Sequence, residues 1–172
     1  DLRKIRPRLP PTPPVDAAPY ITMGLAYGTS PDGSQSDVTI HRFSCVDKDK
    51  LAMWITPGQP SPWRLFDEYC QRGEDMPISI SIGLDPAVYM CCGFEAPTTP
   101  LGFNELQIAG ALRGHAVELA DCVTVPQKCI ANAEYVLEGY LMHDETINED
   151  VNGHGYAMPE FPGYTGAPRS AR

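Results

Sequence analysis

The chain lacks three features that would each assign it to a class of protein. Its 172 residues contain no apolar run near the roughly 20 residues of a membrane helix, and nothing at its start resembles a signal peptide. Its net charge of −9 leaves no basic surface of the kind that nucleic-acid binders use. No Cys-x-x-Cys pair occurs, and Cys122 and Cys129 do not have zinc-finger spacing. We therefore expect a soluble, cytoplasmic protein that binds neither nucleic acid nor membranes.

What the chain does contain is typical of a folded domain. It is 42% apolar and 20% charged, and a chain of this length buries a sizeable core. Its six cysteines lie mostly in apolar surroundings, where free thiols pack as small hydrophobic groups. We favour free thiols over the alternative of a redox or metal-binding pair at Cys91–Cys92.

Composition divides the chain into three segments. Residues 1–15 are basic and proline-rich, which is typical of an extended connector to a preceding segment or of a partner-docking arm. Residues 16–166 form the predicted domain, and residues 167–172 form a loose tail.

The predicted fold is mainly β, of the α+β class, with a few short helices. One helix is predicted from a cap at Ser61 to a stop at Gly73, with Trp63, Phe66, Tyr69 and Cys70 as its apolar stripe. A second helix is predicted from a cap at Asn104 to Arg113, with Gly114 as its stop. The predicted strands are Tyr20–Tyr27, Asp37–Cys45, Leu51–Thr56, Ile78–Gly83, Val88–Cys92, Ala116–Cys122 and Glu134–Leu141.

One helix face combines an acid with apolar residues. Glu105 shares the predicted face of the second helix with Ile108, Ala109 and Leu112. An acid on a buried stripe must be neutral, paired or bound to a cation. The alternative is that Glu105 only complements the helix dipole.

The strand Asp37–Cys45 places an arginine among apolar residues. Val38, Ile40 and Arg42 alternate onto one side, and a guanidinium there needs an anionic partner such as a carboxylate or phosphate. Asp37 and Glu105 offer hard oxygen ligands of the kind that Mg²⁺ and Mn²⁺ prefer.

A third candidate lies near the C-terminus. Glu160 stands between Pro159 and Phe161 in an apolar, glycine-rich turn. Desolvation there would raise the pKa of its carboxyl group and suit it to proton donation. The alternative is a loop acid that faces water.

Nine segments of the chain occur in an order that is characteristic of one family. They are Pro19–Thr22, Asp37–Arg42, Pro77–Pro86, Pro97–Glu105, Ala109–Gly114, Val117–Leu119, Ala131–Glu134, Leu137–Gly139 and Glu160–Tyr164. With these segments the sequence resembles the central part of the UbiD-like family of prenylated-flavin-dependent decarboxylases and carboxylases. The resemblance is closest to members that act on hydroxybenzoates such as protocatechuate and gallate.

The resemblance implies a fold, a reaction and a set of cofactors. The fold is a split β-barrel of the flavin-reductase or FMN-binding type. The reaction is the nonoxidative, reversible decarboxylation of a small aromatic acid, in which prenylated FMN carries the electronic burden. The metal would be Mn²⁺ or Mg²⁺, with K⁺ as a further candidate.

The resemblance also implies roles for individual residues. Arg42 would position the substrate carboxylate, and Glu160 would deliver the proton. Asp37 and Glu105 would bind the metal. The residues that would contact the cofactor are Asp37, Thr39, Ile40, Arg42, Gln59, Thr98 and Glu105.

The chain departs from the family pattern at two positions. Where the family has a metal-binding histidine, this chain has Pro57–Pro62, in which Gln59 or Ser61 offers an oxygen instead. Where the family has a second glutamate, this chain has Gly155. His154 or Glu149 would compensate, and His154 is the candidate contact with the substrate.

Family members have further regions on both sides of the barrel. We therefore expect a homo-oligomer, or a complex with chains or domains that complete the active site. The alternative function is a non-catalytic flavin-binding or metal-binding module derived from the same family.

Overall fold

The computed structural model describes residues 1, 4, 19–53, 64–94, 99 and 103–146. Within these ranges the fold is mainly β with a few helices, as predicted. The strands are β1 (Tyr20–Thr29), β2 (Ser36–Cys45), β3 (Leu51–Met53), β4 (Met76–Ile82), β5 (Leu119–Asp121), β6 (Lys128–Ile130) and β7 (Tyr135–Leu141). The helices are α1 (Arg64–Arg72), α2 (Pro86–Cys91) and α3 (Glu105–Arg113).

The strands form two sheets. The larger sheet has the order β3-β2-β1-β4-β7, and the smaller one pairs β5 with β6. Pairing is antiparallel between β1 and β4, where Ala26 lies opposite Ile80, and between β4 and β7, where Ile80 lies opposite Leu137. It is also antiparallel between β5 and β6, where Ala120 lies opposite Cys129.

The chain divides into two compact units. The first comprises residues 1–22, 41–55 and 145–172, and its described part holds β3 paired with the end of β2. Phe43, Ala52 and Met53 are buried there, and Lys50 forms an ion pair with Glu145. The second comprises residues 23–40 and 56–144 and contains all three helices.

The second unit has a continuous apolar core in which α2 and α3 pack with β1 and β2. Ile40 and Ile108, which are half-buried, pack against this core. Its buried members are Leu25, Tyr27, Val38, Val88, Cys91, Cys92, Leu106, Ala109 and Ile130.

Helix α3 begins and ends where the sequence predicts. The Oδ1 atom of Asn104 accepts a hydrogen bond from the amide of Leu106, and Gly114 closes the helix at φ +76°. Its buried face differs from the predicted one, because Leu106 is buried whereas Leu112 is 57% exposed. Glu105 does lie on the buried face.

The predicted strand Val88–Cys92 is wrong, since this segment lies largely in helix α2. The Oδ1 atom of Asp85 accepts a hydrogen bond from the amide of Ala87, and Pro86 fits the first helical position. The cap at Asp85 and the proline at position 86 favour a helix more strongly than the β-forming residues of Val88–Cys92 favour a strand. The predicted strand Ala116–Cys122 shrinks to β5, and β6 was not predicted.

The two serines of β4 attach the small sheet to the large one. Ser79 and Ser81 are fully buried. The hydroxyl of Ser79 donates to the carbonyl of Lys128 at 2.7 Å, and the hydroxyl of Ser81 accepts from the amide of Ile130 at 3.4 Å. Buried hydroxyls need such partners, so β6 is held over β4 by these two bonds.

Candidate functional site

The candidate site forms where the start of β2 meets the start of α3. The Nδ2 atom of Asn104 donates to the hydroxyl of Ser36 at 2.9 Å, which joins the cap of α3 to the first residue of β2. The next residue on each element is an acid, Asp37 on β2 and Glu105 on α3. Their side chains are hydrogen-bonded to each other, so the structure brings the two predicted metal ligands together.

The carboxyl group of Glu105 is buried and only partly satisfied. The residue is 7% exposed, and its Oε2 atom has no hydrogen-bond partner within the described residues. Burial raises the pKa of Glu105 above its ordinary value, although hydrogen bonds from its own amide and to Asp37 oppose the shift. A buried carboxyl oxygen without a partner costs free energy. A cation bound by both carboxylates would remove that cost.

Cys92 is a further member of the site that the sequence reasoning did not assign to it. It caps the C-terminus of α2 and is 3% exposed. Burial raises the pKa of its thiol strongly, and the nearby carboxylates of Glu105 and Asp37 raise it further. The thiol is therefore a neutral neighbour of the acid pair. The adjacent cysteines of the sequence were its only signal, and both of them also belong to the apolar core of the second unit.

The other predicted residues of β2 follow the acid pair along the strand. Thr39 is half-buried, and Ile40 packs against the core of the second unit. Arg42 is half-buried and belongs to the first unit. His41 precedes it, and its pKa is lowered to about 4 by burial and by the charge of Arg42, so its imidazole is neutral at pH 7.

Four predicted site residues lie outside the described residues. They are Gln59, Thr98, His154 and Glu160. Their roles stay predictions.

A second acidic cluster lies elsewhere in the second unit. Asp75, His143 and Asp144 carry potential ligand atoms within 4.8 Å of one another. Asp75 Oδ1 accepts from the amide of His143 at 3.0 Å and lies 2.8 Å from its Nδ1 atom. The hydrogen bond to Asp75 is the main reason that the pKa of His143 is raised, and its counterpart lowers the pKa of Asp75. The sequence reasoning assigned no role to His143.

Comparison with known proteins identifies the family. Residues 7–171 match the family model described as UbiD, the 3-octaprenyl-4-hydroxybenzoate carboxy-lyase Rift-related domain. The chain belongs to the UbiD family. The resemblance stated from the sequence is thereby confirmed.

No helix among the described residues is long and apolar enough to cross a membrane.

Relatives in the family include decarboxylases of hydroxylated benzoates. The chain is 54% identical over 167 residues to gallate decarboxylase of Lactiplantibacillus plantarum. This match covers 96% of this chain and 34% of that protein. It superimposes with a TM-score of 0.85 on apo 3,4-dihydroxybenzoic acid decarboxylase of Klebsiella pneumoniae at 44% identity, covering 99% of this chain and 35% of that one.

A third relative was solved with the modified flavin. It is an evolved dimeric form of a UbiD-class enzyme from Pelotomaculum thermopropionicum in complex with prFMN, the prenylated form of FMN. The TM-score is 0.75 at 35% identity, over 86% of this chain and 33% of that one. The chain thus spans about a third of the length of these three relatives.

Proposed function

We propose that this chain is the cofactor-binding part of a nonoxidative, reversible decarboxylase that acts on hydroxylated benzoates with prenylated FMN. The observation that carries the proposal is the buried Glu105 beside the half-buried Asp37, in a chain 54% identical to a gallate decarboxylase. We further propose the split β-barrel of the flavin-binding type as its complete fold. In our proposal, other domains or chains, or a second copy, close the active site.

Asp37 and Glu105 would hold the metal ion. Two carboxylates supply the hard oxygens that Mn²⁺ and Mg²⁺ prefer, and Oε2 of Glu105 has no partner among the described residues. The bond between Asn104 and Ser36 fixes the elements that carry the two acids. Gln59 would add a further oxygen. K⁺ is a further candidate cation.

The flavin would lie along β2. Prenylated FMN, when bound, supplies the electron sink for loss of carbon dioxide. Thr39 and Ile40 would line it, with Thr98 as a further contact. The metal held by Asp37 and Glu105 would neutralise the phosphate of the cofactor, which is a usual role for a hard cation.

Two residues would act on the substrate. The guanidinium of Arg42 suits planar, bidentate recognition of the substrate carboxylate, which orients the bond that breaks. Glu160 would deliver a proton to the ring carbon that has lost carbon dioxide, and would remove that proton in the reverse direction. His154 would contact a ring hydroxyl.

A chimera tests this proposal. The chain replaces the matching third of the gallate decarboxylase of Lactiplantibacillus plantarum, and the product is loaded anaerobically with prenylated FMN and Mn²⁺. We expect carbon dioxide release from gallate or protocatechuate. We expect the Glu160→Gln variant to lose roughly 100-fold or more of that rate, as removal of a general acid does, while still binding the flavin.

Two other outcomes would contradict parts of the proposal. A chimera that binds flavin and Mn²⁺ but does not turn over, beside an active parent enzyme, would favour the non-catalytic module. Turnover by Glu160→Gln at the unmodified rate would remove Glu160 from the mechanism.

A further inference from the structure

Two thiols meet under the hairpin formed by β5 and β6, a feature that the proposed function does not use. Cys129 lies opposite Ala120, and the amide of Cys122 donates to the carbonyl of Gln127 at 2.9 Å. Alternation along the strands therefore places Cys122 and Cys129 on one face, diagonally across the hairpin. The thiol of Cys129 lies near enough to that of Cys122 to raise its pKa.

This face of the hairpin packs on β4. The amide nitrogen of the Gln127 side chain donates to the carbonyl of Pro77 at 3.1 Å, and the hydroxyl of Ser79 donates to the carbonyl of Lys128. Ser79 is also hydrogen-bonded to the thiol of Cys122. The surroundings of the two sulfurs are therefore fixed from both sheets.

The tip of the hairpin is held by a third element. Glu138, which lies opposite Ser79 on β7, accepts from the amides of Val123 and Thr124 at 3.0 and 2.6 Å. The tip follows Cys122 directly, so these bonds fix the position of that thiol. Cys129 is 7% exposed and Cys122 is half-buried, so a reagent would enter from the side of Cys122.

The diagonal placement of the two cysteines suits chelation better than a disulfide. Diagonal neighbours across a hairpin lie roughly 7–8 Å apart, whereas a disulfide needs Cα atoms within about 7 Å of each other. Two metal–sulfur bonds of about 2.3 Å at a tetrahedral centre hold their sulfurs roughly 3.8 Å apart. Paired sulfur ligands select soft centres over hard cations such as Mn²⁺.

We propose that Cys122 and Cys129 form a chelating dithiol site that captures one soft, thiophilic centre through both sulfurs. The site differs in chemistry from the acid pair of Asp37 and Glu105, which takes a hard cation. Burial is the main cause that raises the pKa of Cys122 to about 12, so its thiol is protonated at neutral pH. Simple alkylating reagents, which need a thiolate, should therefore react slowly with it.

Phenylarsine oxide is a suitable probe because its capture needs no oxidant. Two S–H bonds and the arsenic–oxygen bond break, two arsenic–sulfur bonds form, and one water leaves with both protons. We expect the folded chain to gain one arsenical in its intact mass. The adduct should survive excess monothiol and be removed by a dithiol. Linking two ligands should make capture about 100-fold tighter than by either thiol alone.

Variants locate the site. Cys122→Ser and Cys129→Ser should each abolish the monothiol-resistant adduct, whereas the matched control Cys92→Ser should retain it. Proteolysis of the adduct formed by the unsubstituted chain gives a second readout. The arsenical should then link the peptide that contains Cys122 to the peptide that contains Cys129. An adduct that maps to Cys91 and Cys92, or a folded chain that gains none, would overturn the proposal.

Discussion

Two acidic clusters in the second unit differ in whether their charged groups are compensated by neighbouring residues. Asp75 and His143 lie at the surface and compensate each other, with the pKa of the acid lowered and that of the histidine raised. Asp37 and Glu105 are both acids, and burial raises the pKa of Glu105 while its Oε2 atom has no partner within the described residues. The first cluster is complete without a ligand, and the second is not.

The difference separates a structural pair from a binding site. A surface pair with opposite charges contributes little free energy and needs nothing further. A buried carboxyl group beside a second acid costs free energy in the empty protein, and a bound cation offsets that cost. Proximity of ligand atoms alone would select the surface cluster of Asp75, His143 and Asp144, whereas burial and unsatisfied oxygens select Glu105.

The largest expected effect comes from removing the buried acid. Glu105→Gln should weaken Mn²⁺ binding by about 100-fold or more, because loss of a metal ligand exceeds the 10-fold to 100-fold cost of losing an outer-shell partner. The same variant should not lower the free energy of unfolding in the absence of metal, since it removes a buried titratable group. Calorimetric titration with Mn²⁺ and urea unfolding measure the two effects.

The matched control is Asp75→Asn, which removes one carboxylate from the surface cluster. It should leave the affinity for Mn²⁺ within about twofold, because a pair of opposite charges that already compensate each other does not need the ion. If the losses were reversed between the two variants, the surface cluster would be the metal site.

A smaller effect is expected from the cap that holds the acid pair in place. Asn104→Ala removes the bonds to the amide of Leu106 and to the hydroxyl of Ser36. It should lower the free energy of unfolding by about 1 kcal/mol and also weaken Mn²⁺ binding. Asp85→Ala removes the cap of α2 and should lower stability similarly. An equal loss of Mn²⁺ affinity in both variants would show that Asn104 does not position the site.

The sequence predicted those parts of the fold that local signals control. The caps at Asn104 and Gly114 predicted α3, and alternation predicted β1, β2 and β7. The run Val88–Cys92 was misassigned because its β-forming residues were weighed without the cap at Asp85. Strand β6 has three residues, and its place depends on bonds to Ser79 and Ser81 that are distant in sequence.

The candidate site was also predictable only where local sequence signals mark its residues. Glu105 stood out because it breaks an apolar helix face, and Asp37 stood out as a hard oxygen ligand at the start of a predicted strand. The bond between Ser36 and Asn104 joins positions 68 residues apart and involves two ordinary polar residues, so no local pattern marks it. The approach of Cys122 to Cys129 depends on the register of a hairpin that was not predicted.

The smallest expected effect concerns the pH dependence of the surface pair. Since the pKa of His143 is raised above 6.5 in the folded chain, its contribution to stability is complete below pH 6.5 and is lost as pH rises through the folded value. The contribution of Asp75, whose pKa is lowered, is complete above pH 3.8 and is lost on acidification. Asp75→Asn should return the pKa of His143 towards 6.5 in an NMR titration. An unchanged titration of His143 would mean that Asp75 is not its partner in solution.

The location of bound Mn²⁺ distinguishes the two clusters most directly. Crystals of the chain soaked in Mn²⁺ would be measured by anomalous diffraction, which identifies the ion without reference to activity. We predict one strong anomalous peak between the carboxylates of Asp37 and Glu105 and none at the surface cluster. A peak confined to Asp75, His143 and Asp144 would contradict the assignment of Asp37 and Glu105 as the metal site.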